Sequence, residues 1–357
     1  MQLKLSLLAS GFLAAMLAAG AAQAHPVTGT IYFTTYTAVI SPCGGPFGRV
    51  WSSTVSYDGV STFTAGCPTA VNSTASPGGI IAGADGIAQN PQNSDLLIIG
   101  GQGPGLFNVS KSTGAWTSLS TPGGSDFHLE VDTPTHGFAM GIPFGTIIQY
   151  GIAPGGGLSL LPNITGTPGS SPVTQIIDTP FGYYYTSSGP GGFGEFGKIS
   201  FAGTTYTTTP VLSGLAAAHG GTYDPLTGDI ILYGDGHVTQ IDLGGSYAAA
   251  PTIKSDLDFL TTGLALSGFN FDQGTVDGAG HIFAASNNGQ LVFIDYSATG
   301  LVASASNFRA APFLIDTLDD VAPLVGSGST NTDIPAPAAL LLLGLGLLGL
   351  GAFRRRC

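Results

Sequence analysis

Two histidines and a set of aspartates carry most of the chemistry open to this 357-residue chain. Asp85, His128, Thr174, His219 and Asp272 each stand four to five residues ahead of a recurring turn residue, which is Asn90, Asp132, Asp178, Asp224 or Asp277 in that order. One of Asp319 or Asp320 completes the series. If those turns end equivalent strands arranged around an axis, three carboxylates and two imidazoles converge. Asp85, His128, His219, Asp272 and Asp320 are then the candidate ligands of a divalent cation, with calcium the ion considered. The competing reading is that polar residues line such a channel because it is filled with water.

No other chemistry is written in familiar form. Ser267 lies in Leu-Ala-Leu-Ser-Gly, which lacks the first glycine of the serine-hydrolase elbow, and no H-E-x-x-H, EF-hand or Walker A pattern occurs. Gly100 to Gly105 is followed by a strand-like run, so no helix N-terminus is there to hold an anion. His136 falls in a turn, and His237 and His281 begin strands after glycine. Tyr183, Tyr184 and Tyr185 read as a strand alternating between core and surface.

Only 8% of the residues are charged, and 56 are glycine. That excludes coiled coils and long helices, which need far more charge. Between His25 and Asp333 there are 21 acidic residues against five basic ones, a net of −16, which repels phosphate backbones and excludes nucleic acid as a partner. Cys43 and Cys67 lie 24 positions apart and would bridge in an oxidising compartment.

The elements that must position these residues repeat. The turn residues are separated by 42, 46, 46 and 53 positions. Each introduces short runs rich in Val, Ile, Tyr and Phe, bounded by Gly, Asn, Asp or Pro, as in Tyr223 to Tyr233 followed by His237 to Asp242. Repeats of this length with four short strands each are the signature of an all-β propeller. Gly29 to Phe33 reads as a second strand and Trp51 to Tyr57 as a third, with no first strand ahead of them. Leu318 to Pro323 resembles Ala84 to Ala88 and supplies that strand from the far end. The expectation is a six-bladed ring over residues 25–325, closed by a C-terminal strand joining the N-terminal blade. An array of two-sheet sandwiches is the rival arrangement.

Both ends read as addresses. Residues 1–24 have a basic start at Lys4, an apolar stretch and Ala22-Gln23-Ala24, the pattern of a signal peptide cleaved between Ala24 and His25. After a Ser/Gly/Thr linker at 326–333, residues 338–353 form an apolar helix, followed by Arg354, Arg355 and Arg356. Sixteen helical residues span roughly 24 Å, just short of a hydrocarbon core, and the arginines would hold the end in the cytoplasm. A permanent anchor in the inner membrane is the alternative to a tail that is removed.

Pro335-Ala336-Pro337, the apolar helix and the arginine cluster resemble the PEP-CTERM sorting signal of Gram-negative bacteria, over residues 334–357. Ala336 stands where the usual tail has glutamate. The resemblance implies an exosortase-like processing enzyme as partner and a destination in the cell envelope, at the cell surface or outside the cell. The repeat resembles NHL and SMP-30/gluconolactonase-like propellers. Together these imply an exported, non-catalytic propeller associated with surface polysaccharide or biofilm matrix. The alternatives are a gluconolactonase-like hydrolase or lyase using a channel cation, and an adhesin binding glycans or proteins.

Overall fold

A computed structural model describes residues 26–322, except 102, 104, 124–125, 142–144, 189–193, 260–269 and 305–306. The signal peptide with its Ala24–His25 junction, the 326–333 linker and the sorting tail therefore lie outside the described residues. Among those that are described, no helix is long and apolar enough to cross a membrane.

The chain begins with β1 (Val27–Val39), β2 (Gly48–Tyr57), β3 (Phe63–Ala65) and β4 (Thr69–Ser73). Then come β5 (Ile87–Gln89), β6 (Leu96–Ile99), β7 (Leu106–Ser110) and β8 (Trp116–Leu119), hydrogen-bonded in that order. The next meander is β9 (Asp126–Thr133), β10 (His136–Gly141) and β11 (Thr146–Ile152), with β12 (Leu158–Leu160) and β13 (Ile164–Gly166) sharing the edge of β11. After it run β14 (Gln175–Ile177), β15 (Tyr184–Ser187), β16 (Gly194–Ala202) and β17 (Thr205–Leu215). A short parallel pairing of β13 with β17 joins these two meanders into one nine-stranded sheet. Two more four-stranded sheets are β18 (Gly220–Asp224), β19 (Asp229–Gly234), β20 (His237–Asp242) and β21 (Thr252–Asp258), then β22 (Phe271–Val276), β23 (His281–Ser286), β24 (Gln290–Asp295) and β25 (Asn307–Leu314). The last strand, β26 (Leu318–Val321), pairs antiparallel with β1 as the inner edge of the first sheet.

The turn residues explain why the repeat is readable. Asp224 closes β18 by accepting the amide of Leu226 at 3.1 Å and the hydroxyl of Thr227 at 2.6 Å. Asp277 does the same after β22, accepting the amides of Ala279 and His281. An Asx side chain that satisfies the turn's own donors fixes where one strand stops and the next begins.

Apolar clusters fill each gap between neighbouring meanders. Phe196 and Tyr184 pack with Ile230 and Leu232 of the next sheet, and Tyr185 packs the other way, with Phe138 and Met140. Tyr184 and Tyr185 are thus both buried, where alternation suggested one exposed face. The reason is that a sheet in this ring is covered on both sides. The ring returns on itself: Phe283, Phe293 and Phe313 of the last sheet share one cluster with Ile31, Phe33 and Trp51 of the first and with Leu318 and Val321 of β26. Tyr57 of β2 also donates to Asp295 Oδ2 of β24 at 2.7 Å. This all-β ring is a β-propeller, and β5, β9, β14, β18, β22 and β26, each at one edge of its meander, are termed its inner strands.

Candidate metal centre

Three inner strands carry a one-residue bulge at one level of the channel. In β9 the pairing with β10 steps from Leu129 opposite Ala139 to Phe127 opposite Met140, leaving His128 as the extra residue. In β22, Phe271 faces Ser286 and Gly274 faces Ala284, so the extra residue falls at Asp272 or Gln273. In β26, Val321 faces Phe33 and Leu318 faces Thr35, which places it at Asp319 or Asp320. A bulge breaks the alternation and re-aims a side chain. His128 has a φ of +20°, at the edge of what a side-chain-bearing residue adopts.

Two glycines bring the remaining strands close. A Cβ on Gly220, directly after His219, would strike the backbone of Asp272. A Cβ on Gly86, directly after Asp85, would meet the backbone of Leu129 and His128 at 2.9 and 3.0 Å. Without side chains there, the channel walls approach to contact distance.

The outcome is a compact donor set. His219 Nε2 lies 2.7 Å from Asp272 Oδ1, and His128 Nε2 lies 3.4 Å from the same oxygen. One ligating atom each from His128, His219 and Asp272 falls within 4.8 Å of the other two. On its far side, His128 Nδ1 is 3.7 Å from Asp320 Oδ2. Asp85, Thr174 and Asp319 line the same cavity, of about 390 Å³, together with Tyr36 from the end of β1. Thr174 is spent on structure, its hydroxyl donating to the His219 carbonyl at 3.2 Å. Among the described residues, no lysine or arginine lines this cavity.

Burial and charge divide these groups. Burial pushes His128 down to about 4, so it is neutral at ordinary pH. Burial also works against a charge on His219, but Asp272, Asp85 and Asp235 outweigh it and raise its pKa. Asp272 is desolvated yet held well below the carboxylate range by the two imidazoles. Asp319 and Asp320 are pushed up, first by burial and then by neighbouring carboxylates. A neutral His128 imidazole, an anionic carboxylate and further buried acids, with no lysine or arginine lining the cavity, make a set that a divalent cation would satisfy, displacing any proton held by His219.

The other singled-out residues lie elsewhere. Cys43 and Cys67 are joined as a disulfide, with Cα atoms 6.3 Å apart, tying the β1–β2 loop to the segment between β3 and β4. His136, His237 and His281 pair with Asp132, Asp256 and Asp277 within their own sheets.

A second cavity, of about 640 Å³, opens toward the other ends of the inner strands and contains Glu130, Asp132 and Asp178. In the sequence Asp132 and Asp178 read as turn residues only, and Glu130 carries no signal of its own. Asp132 Oδ1 lies 2.7 Å from His136 Nδ1, and its Oδ2 accepts the Tyr183 hydroxyl at 2.8 Å. Glu130 accepts the Asp178 amide at 3.2 Å, yet burial drives its pKa up to about 8 from the usual 4.5. The folded state therefore binds this proton more tightly than the unfolded chain, so its stabilising contribution is full below pH 4.5 and lost as pH rises through about 8. Glu130→Gln removes the titration. Its stability relative to the parent should rise by about 4 kcal/mol between pH 4.5 and pH 8, measured by urea unfolding. A difference that stays flat with pH would contradict this.

Among comparisons with known proteins, a family match bears on the tail. No curated protein matches the chain. Among solved structures, a protein from Lactobacillus plantarum is similar at 15% identity and a TM-score of 0.49, over 83% of this chain and 99% of that one. YCF48, solved bound to a D1 peptide, is similar at 12% identity and a TM-score of 0.40, over 80% of this chain and 84% of its own. Sqt1 from Saccharomyces cerevisiae is similar at 12% identity and a TM-score of 0.40, over 65% and 62%. Residues 333–356 match the PEP-CTERM protein-sorting motif, so the chain carries, after a β-propeller, the tail of an exported protein sorted to the cell envelope by an exosortase-like enzyme.

Proposed function

We propose that this protein is an exported six-bladed propeller of the cell envelope that binds one divalent metal ion at one mouth of its channel. Counting the two meanders of the nine-stranded sheet separately supports six blades. The observation that carries the metal reading is the convergence of His128, His219 and Asp272 within 4.8 Å, on two inner strands bulged there and a third brought close by Gly220. Two imidazoles and a carboxylate suit zinc or a neighbouring transition ion better than calcium, which takes six to eight oxygens.

With 21 acidic and five basic residues ahead of the tail and no nucleophile motif, the ring serves as a binding or display module, associated with surface or extracellular polysaccharide. Calorimetric titration of the full chain in detergent, stripped with chelator, tests the metal reading. Zinc should bind at one equivalent and calcium far more weakly. No zinc heat, or calcium binding as tight as zinc, would sink it.

A metal-dependent hydrolase or lyase is the second reading, favoured by the open cavity in front of the three donors. Turnover of simple lactones or esters by the zinc-loaded chain, lost with the metal, would move that reading ahead.

A further inference from the structure

The strand that closes the ring also supports the candidate metal centre. β26 is four residues long and meets β1 in only two paired positions, Val321 with Phe33 and Leu318 with Thr35. Backbone bonds from Tyr36 to Thr317 and from Ala322 to Tyr32 flank them. Between them lies the bulge with Asp319 and Asp320. Thr34 mends it in part: its hydroxyl accepts the Asp320 amide at 3.2 Å and donates to the Asp85 carbonyl at 2.6 Å. The Asp320 carboxylate is fully buried, and neither of its oxygens has a hydrogen-bond partner. Nor has His128 Nδ1, which faces it across 3.7 Å.

His128 thus presents Nε2 toward Asp272 and His219, and Nδ1 toward the closing strand. A metal-bound imidazole commonly gives its second N–H to a carboxylate, which fixes the ring's tautomer and orientation. We propose that the ion held by His128, His219 and Asp272 is the clasp of the ring, with Asp320 as the positioning residue that passes its binding to β26. The inference rests on the metal reading above. Once the ion fixes Nε2 as the ligating atom, Nδ1 carries the proton and donates it to Asp320 Oδ2. The otherwise unanswered carboxylate then gains a partner, and the short closing strand gains an attachment to β9 on another sheet. Ligands that bind one state in preference stabilise that state, and here the preferred state is the closed ring.

Hydrogen exchange of the full chain in detergent, read strand by strand with zinc or with chelator, tests this, with zinc binding measured in parallel. Zinc should slow exchange in Leu318–Val321 by tenfold or more beyond any change in β19, a central strand remote from the closure. Asp320→Leu, which offers no acceptor, should still bind zinc, about 10- to 100-fold more weakly, and at saturating zinc should lose that selective slowing. Zinc binding with no slowing in β26, or with equal slowing in every sheet, would overturn the clasp and leave the metal centre standing. Slowing that persists in Asp320→Leu would overturn the role given to Asp320. An absence of zinc binding would remove both.

Discussion

Replacing Asp272 with asparagine is expected to weaken zinc binding by about 100-fold or more, because the change removes the negative charge of the carboxylate that both imidazoles face. Asparagine keeps the volume and can still accept a hydrogen bond from His219, so the packing of Phe271 and its neighbours stays intact. What is lost is the anionic donor that, with two neutral imidazoles, makes a three-ligand set. The readout is the same calorimetric titration, run beside a circular dichroism spectrum to establish that the sheet structure is retained. An affinity within threefold of the parent would show that the ion, if bound, sits elsewhere.

The second large effect concerns closure. Leu318 is fully buried at the start of β26, in the cluster that joins the first sheet to Phe283, Phe293 and Phe313 of the last. With so few backbone rungs holding β26, side-chain packing bears most of its attachment. Leu318→Ala should lower stability by about 2–5 kcal/mol, the usual range when a buried leucine leaves a cavity. Urea unfolding of the full chain in detergent measures it. A loss below 1 kcal/mol would mean that the ring does not depend on this strand for its last interface.

Much of the scaffold was legible because its punctuation is chemical. Asp224 and Asp277 are needed to accept turn amides, so they recur at the repeat period whatever the strands contain. The likeness of Leu318–Pro323 to Ala84–Ala88 likewise pointed to a strand far from its sheet in sequence. The detailed shape of the channel mouth was not legible. A bulge at His128 needs no glycine and leaves no mark in composition. An alternating reading of β26 had to choose between Asp319 and Asp320, whereas the bulge gives both a place at the site: Asp319 lines the cavity and Asp320 stands behind His128. The Glu130, Asp132 and Asp178 group was hidden for another reason. Acids are spread evenly along the chain, and only the side-by-side placement of two inner strands gathers these three.

The shared edge of the nine-stranded sheet was equally invisible. β12 and β13 are three residues each, too short for a periodic pattern, and the pairing of β13 depends on where β17 ends up in space. Both faces of β15 being buried also follows from the ring and from no property of Tyr184 or Tyr185 themselves.

The most direct test of the metal centre is metal-edge X-ray absorption on the full chain isolated from its own envelope fraction, with the metal content of the same sample. The account predicts one transition ion per chain, with two imidazole nitrogens at about 2.0–2.1 Å and carboxylate oxygen in the first shell. A chain free of stoichiometric metal, or an ion surrounded by oxygen alone, would contradict it.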